Sequence, residues 1–246
     1  MNETEKFLFD LEGYLIVENV LGESELSALN ALVDNRLEDP WDNDPVNDSI
    51  KCSAWGQATT DLIDHPRILP YLIELLGPRV RIDHDYAIIM NQGEGRGGLH
   101  GGHSHGGTHF YRCHDGTIYN GLTVATYFLS EAAEGDGGFA CIPGSHKSNF
   151  MHNLPDDVRS FERPAHYVRQ PPARAGDALI FTEALMHGTL PWRGPHQRRA
   201  LLYKYSPGHC SWSQSIYDFE LYGELTEQRQ RIMAPPSAEA HPEVVQ

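Results

Sequence analysis

With 246 residues, 34 acidic against 19 basic side chains and a formal net charge of −15, the chain has the wrong sign for a nucleic-acid or anionic-membrane binder, since both need a basic face. A hydrophobic fraction of 40% beside 22% charged residues supports a sizeable core and excludes global disorder. No apolar run approaches the ~18 residues of a membrane span, MNETEKFLFDLEG lacks the regions of a secretory signal, and Cys52, Cys113, Cys141 and Cys210 form no CxxC pair, so reduced thiols in a cytoplasmic protein are expected.

The first third reads as mostly helical. Leu26, Leu29, Val33 and Leu37 recur at helical spacing behind Ser24, an expected N-cap. EDPWDNDPVNDS reads as a surface loop, and ILPYLIELL (68–76) as a second helix stopped by Gly77 and Pro78. From residue 79 short apolar runs alternate with glycine. RVRIDHDYAIIM (79–90), GLTVATYFL (121–129), GFACIP (138–143), ALIF (178–181) and RRALLYKY (198–205) are expected strands, with GEGRGG (93–98) and EGDGG (134–138) as loops. A last helix is expected over 220–233, followed by a mobile proline-rich tail over 234–246. The pattern predicts one domain over 1–233: a helical part (1–78) and a β core (79–210), mostly β with flanking helices.

Five of the fourteen histidines fall in one glycine-rich stretch, His100, His103, His105, His109 and His114. Neutral imidazole ligates Fe, Zn, Cu and Ni, and glycine leaves room beside a metal. Three metal templates fail here. A cupin motif lacks its glutamate after His103 and His105, an HxHxDH hydrolase motif meets Gly107 and Thr108, and HExxH is absent. A 2-His-1-carboxylate facial triad needs Asp or Glu two residues after its first histidine; His100 and His105 are each followed there by glycine.

The segment AGDALIFTEALMHGTLPWRGPHQRRALLYKYSPGH (175–209) is more specific: a strand, a turn, His187 in HGT, and Arg198 eleven residues later. Together with FDLEGYLIVENVLGESELSAL, the helix ending LLGP and the block GDGGFACIPGSHKSNF, it resembles the phytanoyl-CoA dioxygenase family of Fe(II)/2-oxoglutarate oxygenases over nearly the whole chain.

The resemblance implies a double-stranded β-helix (jelly-roll, cupin-like) core holding one Fe(II). It makes His187 the distal iron ligand and Arg198 the residue that grips the far carboxylate of 2-oxoglutarate, with Thr189 adding a hydroxyl. The first ligand is read as His100, with His105 as the alternative. Where the family has aspartate two residues on, this chain has Gly102. Either a carboxylate comes from elsewhere, Glu183 ahead of Asp115, or the position is vacant as in 2-oxoglutarate halogenases, where chloride takes it. Glu183 reads equally well as an acceptor that orients a neighbour. Arg199 reads as a surface salt bridge, His146 of PGSH as part of a turn, and Asn91, Gln92 and Tyr127 as cavity residues that touch the cosubstrate.

The implied activity is hydroxylation of an unactivated C–H in a small-molecule substrate at the expense of O2 and 2-oxoglutarate. Halogenation, a catalytically silent jelly-roll binding module and a zinc- or nickel-binding histidine-rich protein are the other readings. The substrate and the oligomeric state are not legible, and PEVVQ is no peroxisomal address.

Overall fold

The structure, a computed structural model, describes residues 1–38, 51–102, 107–214 and 216–245. Six α-helices are described: α1 (Glu3–Glu12), α2 (Glu23–Glu38), α3 (Gln57–Thr60), α4 (Leu69–Leu76), α5 (Asp156–Arg159) and α6 (Glu227–Ile232). The ten described strands are β1 (Tyr14–Val17), β2 (Val80–Met90), β3 (Arg96–His100), β4 (Tyr111–His114), β5 (Thr117–Asn120), β6 (Thr123–Phe128), β7 (Gly138–Cys141), β8 (Ala178–Thr182), β9 (His187–Leu190) and β10 (Arg198–Pro207).

Local chemistry sets the first elements. Asn2 and Glu5 form a reciprocal capping box at the start of α1, and Gly13, at φ 83, ends it in the left-handed region. The chain then enters β1, whose Leu15 and Val17 alternate inward while the strand pairs with β8. The expected N-cap Ser24 lies inside α2 instead; the amide of Gly22 before it is held by the Glu25 carboxylate. The helix expected over 68–76 forms as α4, stopped at Gly77.

The sheets are antiparallel throughout. Five strands lie in the order β1-β8-β6-β10-β2, three in the order β3-β9-β7, and β4 and β5 form a hairpin. That hairpin turns at Asp115 (φ 48) and Gly116 (φ 75), the positive pair that matches strand twist. Helices cover one face of the large sheet, burying Leu29, Val33, Ile63, Leu72, Tyr127 and Tyr203. Its other face packs on the small sheet through Met90, Phe128, Phe139, Phe181, Trp192 and Leu202. The result is mostly β with flanking helices.

Four expectations change. The helical first part contains β1. The 93–98 loop runs into β3 despite its glycines, because β9 supplies partners along that edge. The last helix is confined to Glu227–Ile232, since Thr226 caps it and 222–225 cannot continue it upstream. The tail is docked rather than free: Val244 is buried and its amide donates to the Pro78 carbonyl at 2.8 Å. The loop expected at 38–49 lies almost wholly outside the described residues. No disulfide joins any of the four cysteines.

Candidate functional site

A narrow cavity of about 40 Å³ runs between the two sheets, with Arg198, Thr126 and Thr189 among its polar walls and Ile88, Phe139 and Phe181 among its apolar ones. Strand alternation decides which residues reach it. On β10, Arg198 and Leu202 face inward with Lys204, while Leu201, Tyr203 and Tyr205 join the helix-side core. β9 belongs to the small sheet and β10 to the large one, so the connection over 191–197 crosses from one to the other. Trp192 wedges this crossing, fully buried, with its indole N–H donating to the His196 carbonyl at 2.6 Å. His187 and Arg198 therefore stand on opposite walls of one cavity.

His100 and His187 are register partners in the β3–β9 pair, and their ring centroids lie 4.4 Å apart. Each ring is fixed by its own backbone: Nδ1 of His100 meets the Gly98 carbonyl at 2.9 Å, and Nδ1 of His187 the Leu185 carbonyl at 2.8 Å. A carbonyl only accepts, so each Nδ1 is the donor, and Nε2 is the atom each ring has left to offer a ligand. This is how a protein holds imidazoles ready for a metal. Burial lowers the pKa of His187 to about 4, with the Glu183 carboxylate opposing the shift, so its ring is neutral at pH 7. Phe181, with its ring centroid 4.7 Å from that of His187, completes the apolar collar.

Glu183 begins the turn that leads into β9. Its Oε1 accepts from Lys204 Nζ at 2.7 Å, and its Oε2 lies 3.7 Å from His187 Nε2. Burial pushes the carboxyl pKa up, but His187 and Lys204 pull it down to about 2. Burial likewise disfavours charge on Lys204, and Glu183 outweighs that and holds the ammonium above the usual lysine range. Among the described residues, no three His, Cys, Asp or Glu side chains converge as a ready metal site.

Arg198 is 2% exposed, and burial lowers its pKa to about 10, leaving it charged at pH 7. Among the described residues its Nε has no hydrogen-bond partner, and Nη1 reaches the Met90 sulfur at 3.6 Å. A buried guanidinium without an anion is costly, which makes it a receptor for one. Space for it comes from Gly138, at φ +81, where a Cβ would lie 2.7 Å from Arg198 Nε. Thr189 and Thr126 share the cavity with Arg198, and the buried Thr126 hydroxyl also lacks a partner among the described residues.

Several expected residues fall elsewhere. Asn91 is exposed at the end of β2, bound to Glu94 and Gln197, because the strand stops at Met90. Gln92 reaches the Arg193 carbonyl instead. Tyr127 points into the helix-side core and donates to the Leu62 carbonyl at 3.0 Å; its neighbour Thr126 takes the cavity face. Asp115 sits in the exposed β4–β5 turn beside His114, away from the cavity. His105 lies outside the described residues. His146 is buried against α1, reaching the Asp10 carbonyl at 3.0 Å. Arg199 pairs with Asp34 on α2. Sequence reasoning missed Thr126, Tyr86 and Lys204. Only the last leaves a signal, as a lone cation inside the apolar run LLYKY.

Comparison with known proteins agrees with this architecture. No curated protein matches the sequence. Among solved structures, HygX from Streptomyces hygroscopicus with nickel and 2-oxoglutarate bound superposes with a TM-score of 0.75 at 23% identity, covering 91% of this chain and 95% of HygX. HygX with nickel, 2-oxoglutarate and hygromycin B gives 0.74 at 22% identity, over 86% and 89% of the two chains. The non-heme alpha ketoglutarate dependent epimerase SnoN from nogalamycin biosynthesis gives 0.59 at 19% identity, over 84% and 83%. These likenesses show the fold. The Phytanoyl-CoA dioxygenase (PhyH) family matches residues 9–200, most of the sequence, and the chain therefore belongs to that family of Fe(II)/2-oxoglutarate oxygenases.

Proposed function

We propose that this protein is an Fe(II)- and 2-oxoglutarate-dependent oxygenase that hydroxylates an unactivated C–H of a small molecule, its two facing sheets forming a double-stranded β-helix. The observation that carries this reading is the pairing of two Nε2-presenting imidazoles with an anion-free guanidinium in one cavity. The residues present fit the implied groups: paired imidazoles suit iron, and a planar, always-charged fork suits a carboxylate.

Fe(II) and 2-oxoglutarate, when bound, supply the oxidising chemistry with O2. The chain's own residues do the rest. His100 and His187 present their Nε2 atoms to the metal. Arg198 grips the far carboxylate of 2-oxoglutarate, with the Thr189 and Thr126 hydroxyls beside it. Phe139, Phe181, Ile88 and Leu202 keep water from the reacting centre. His100 is the exposed member of the pair and His187 the buried one.

HygX is solved with hygromycin B, so polyhydroxylated small molecules are the first substrates to screen. The test is Fe(II)-dependent conversion of 2-oxoglutarate to succinate with O2 consumption by the purified protein. Binding of 2-oxoglutarate without turnover under any substrate in the screen would instead fit a silent module, and no Fe(II)-dependent binding at all would remove the reading.

A further inference from the structure

Position 102, where the family carries its carboxylate, is glycine in this protein, and its backbone disfavours a side chain. Gly102 has φ +95, which strains any L residue, and a Cβ there would lie 2.5 Å from Met151 Cε. Its amide is turned to the Glu183 carbonyl at 3.3 Å, so the backbone at 102 is tied to the turn that carries Glu183. The thioether end of Met151 fills the space beside Gly102.

A different carboxylate faces His187. Glu183 is buried, 3% exposed, one oxygen held by Lys204 and the other 3.7 Å from His187 Nε2. That separation is too long for a hydrogen bond. Nδ1 of His187 is taken up by the Leu185 carbonyl, so Nε2 is the ring atom that faces this carboxylate.

Resting on the oxygenase reading, the geometry points to Glu183 as the third protein donor to the iron, replacing the carboxylate absent at Gly102, with Lys204 as the residue that positions it. The three donors do not converge among the described residues; Glu183 Oε2 stands 3.7 Å from His187 Nε2, and the assignment requires that side chain to turn toward the ion on metal binding. Lys204 is suited to this task. It is 8% exposed, on the same inward face of β10 as Arg198, with Nζ 5.3 Å from the centre of the Tyr86 ring. It retains Oε1 and leaves Oε2 for the metal.

The test is titration of the full chain with Co(II), followed by visible absorption, alongside thermal unfolding. Glu183→Gln is expected to lower Co(II) affinity by about 100-fold or more and to change the band shape, whereas Lys204→Met lowers affinity by about 10-fold and keeps the band shape, as loss of an outer partner does. In Glu183→Ala, added formate restores the wild-type spectrum, while wild type responds to neither formate nor chloride. Because Glu183→Gln strands a buried ammonium, the double variant Glu183→Gln/Lys204→Met serves as the folded control and is expected to show the same altered spectrum. Wild-type affinity and spectrum in that double variant, or a chloride-dependent spectrum in wild type, would overturn the assignment. Perturbation of the wild-type Co(II) spectrum by 2-oxoglutarate supports the underlying oxygenase reading whatever Glu183 does, so the two fail separately.

Discussion

Arg198 carries the sharpest residue-scale expectation. Two charge-assisted hydrogen bonds from its fork to a carboxylate amount to about 3 kcal/mol together, so Arg198→Met should weaken 2-oxoglutarate binding by about 100-fold, measured by calorimetric titration with Co(II) present, and leave Co(II) affinity nearly unchanged. An equal loss for metal and cosubstrate would mean that the guanidinium serves the fold instead. Gly138→Ala probes the same site indirectly. Its φ of +81 and the approach to Arg198 Nε require glycine, so a stability loss of about 1–2 kcal/mol together with weaker 2-oxoglutarate binding is expected, the latter visible in the same titration. How far these residues were legible in the sequence depends on their spacing. His187 and Arg198 flank one short crossing between strands, so their pairing is local. Thr126 was not legible, because every residue of β6 is buried and an apolar strand with two covered faces does not reveal which face lines a cavity. The same ambiguity assigned Tyr127 to the cavity.

At the scale of elements, β2 does more than pair. Its register against β10 shifts between Lys204 and Tyr205, leaving Asp83 without an opposite residue. Asp83 accepts from the amides of Trp212 and Ser213 and from Arg81, which fixes the segment after β10. Asp85, two residues on, accepts from the Ser53 amide at 2.7 Å, Ser53 Oγ at 2.9 Å, Cys52 Sγ at 3.2 Å and Tyr217 OH at 2.7 Å. One carboxylate thus ties the segments around 52 and 217 to the sheet. Asp85→Ala leaves several buried donors unsatisfied, and a loss of about 3 kcal/mol or more is expected, read as a lower urea midpoint with an unchanged slope. Long apolar strands such as β2, β6, β8 and β10 stood out in the sequence. The short β1 and the glycine-rich β3 did not, since pairing partners distant in the chain make them strands.

For the molecule as a whole, pH is the informative variable. Burial lowers the pKa of His65, His109 and His241 below the ordinary imidazole value, and that of His187 to about 4. The unfolded chain therefore binds more protons than the folded one between about pH 6.5 and 4. Stability these groups permit is complete above that window and is lost as the pH falls through it. Carboxylates act lower down: Asp83 and Glu183, each lowered to about 2, withdraw their contribution only as the pH drops below about 4. The metal-free protein should show a lower denaturant midpoint at pH 5.5 than at pH 7.5, and an equal midpoint would show that the four imidazoles are not shielded as described.

β10 has one further consequence. Arg198 and Lys204 project from the same side of a single continuous strand, six residues apart, which at about 3.3 Å per residue is about 20 Å of backbone. The strand works as a ruler, spacing the anchor of the cosubstrate from the holder of the carboxylate. Deleting or inserting one residue between them would rotate one of the two cations into the helix-side packing while the other stayed in place. Length variation within this strand should therefore be far less tolerated than side-chain variation along it.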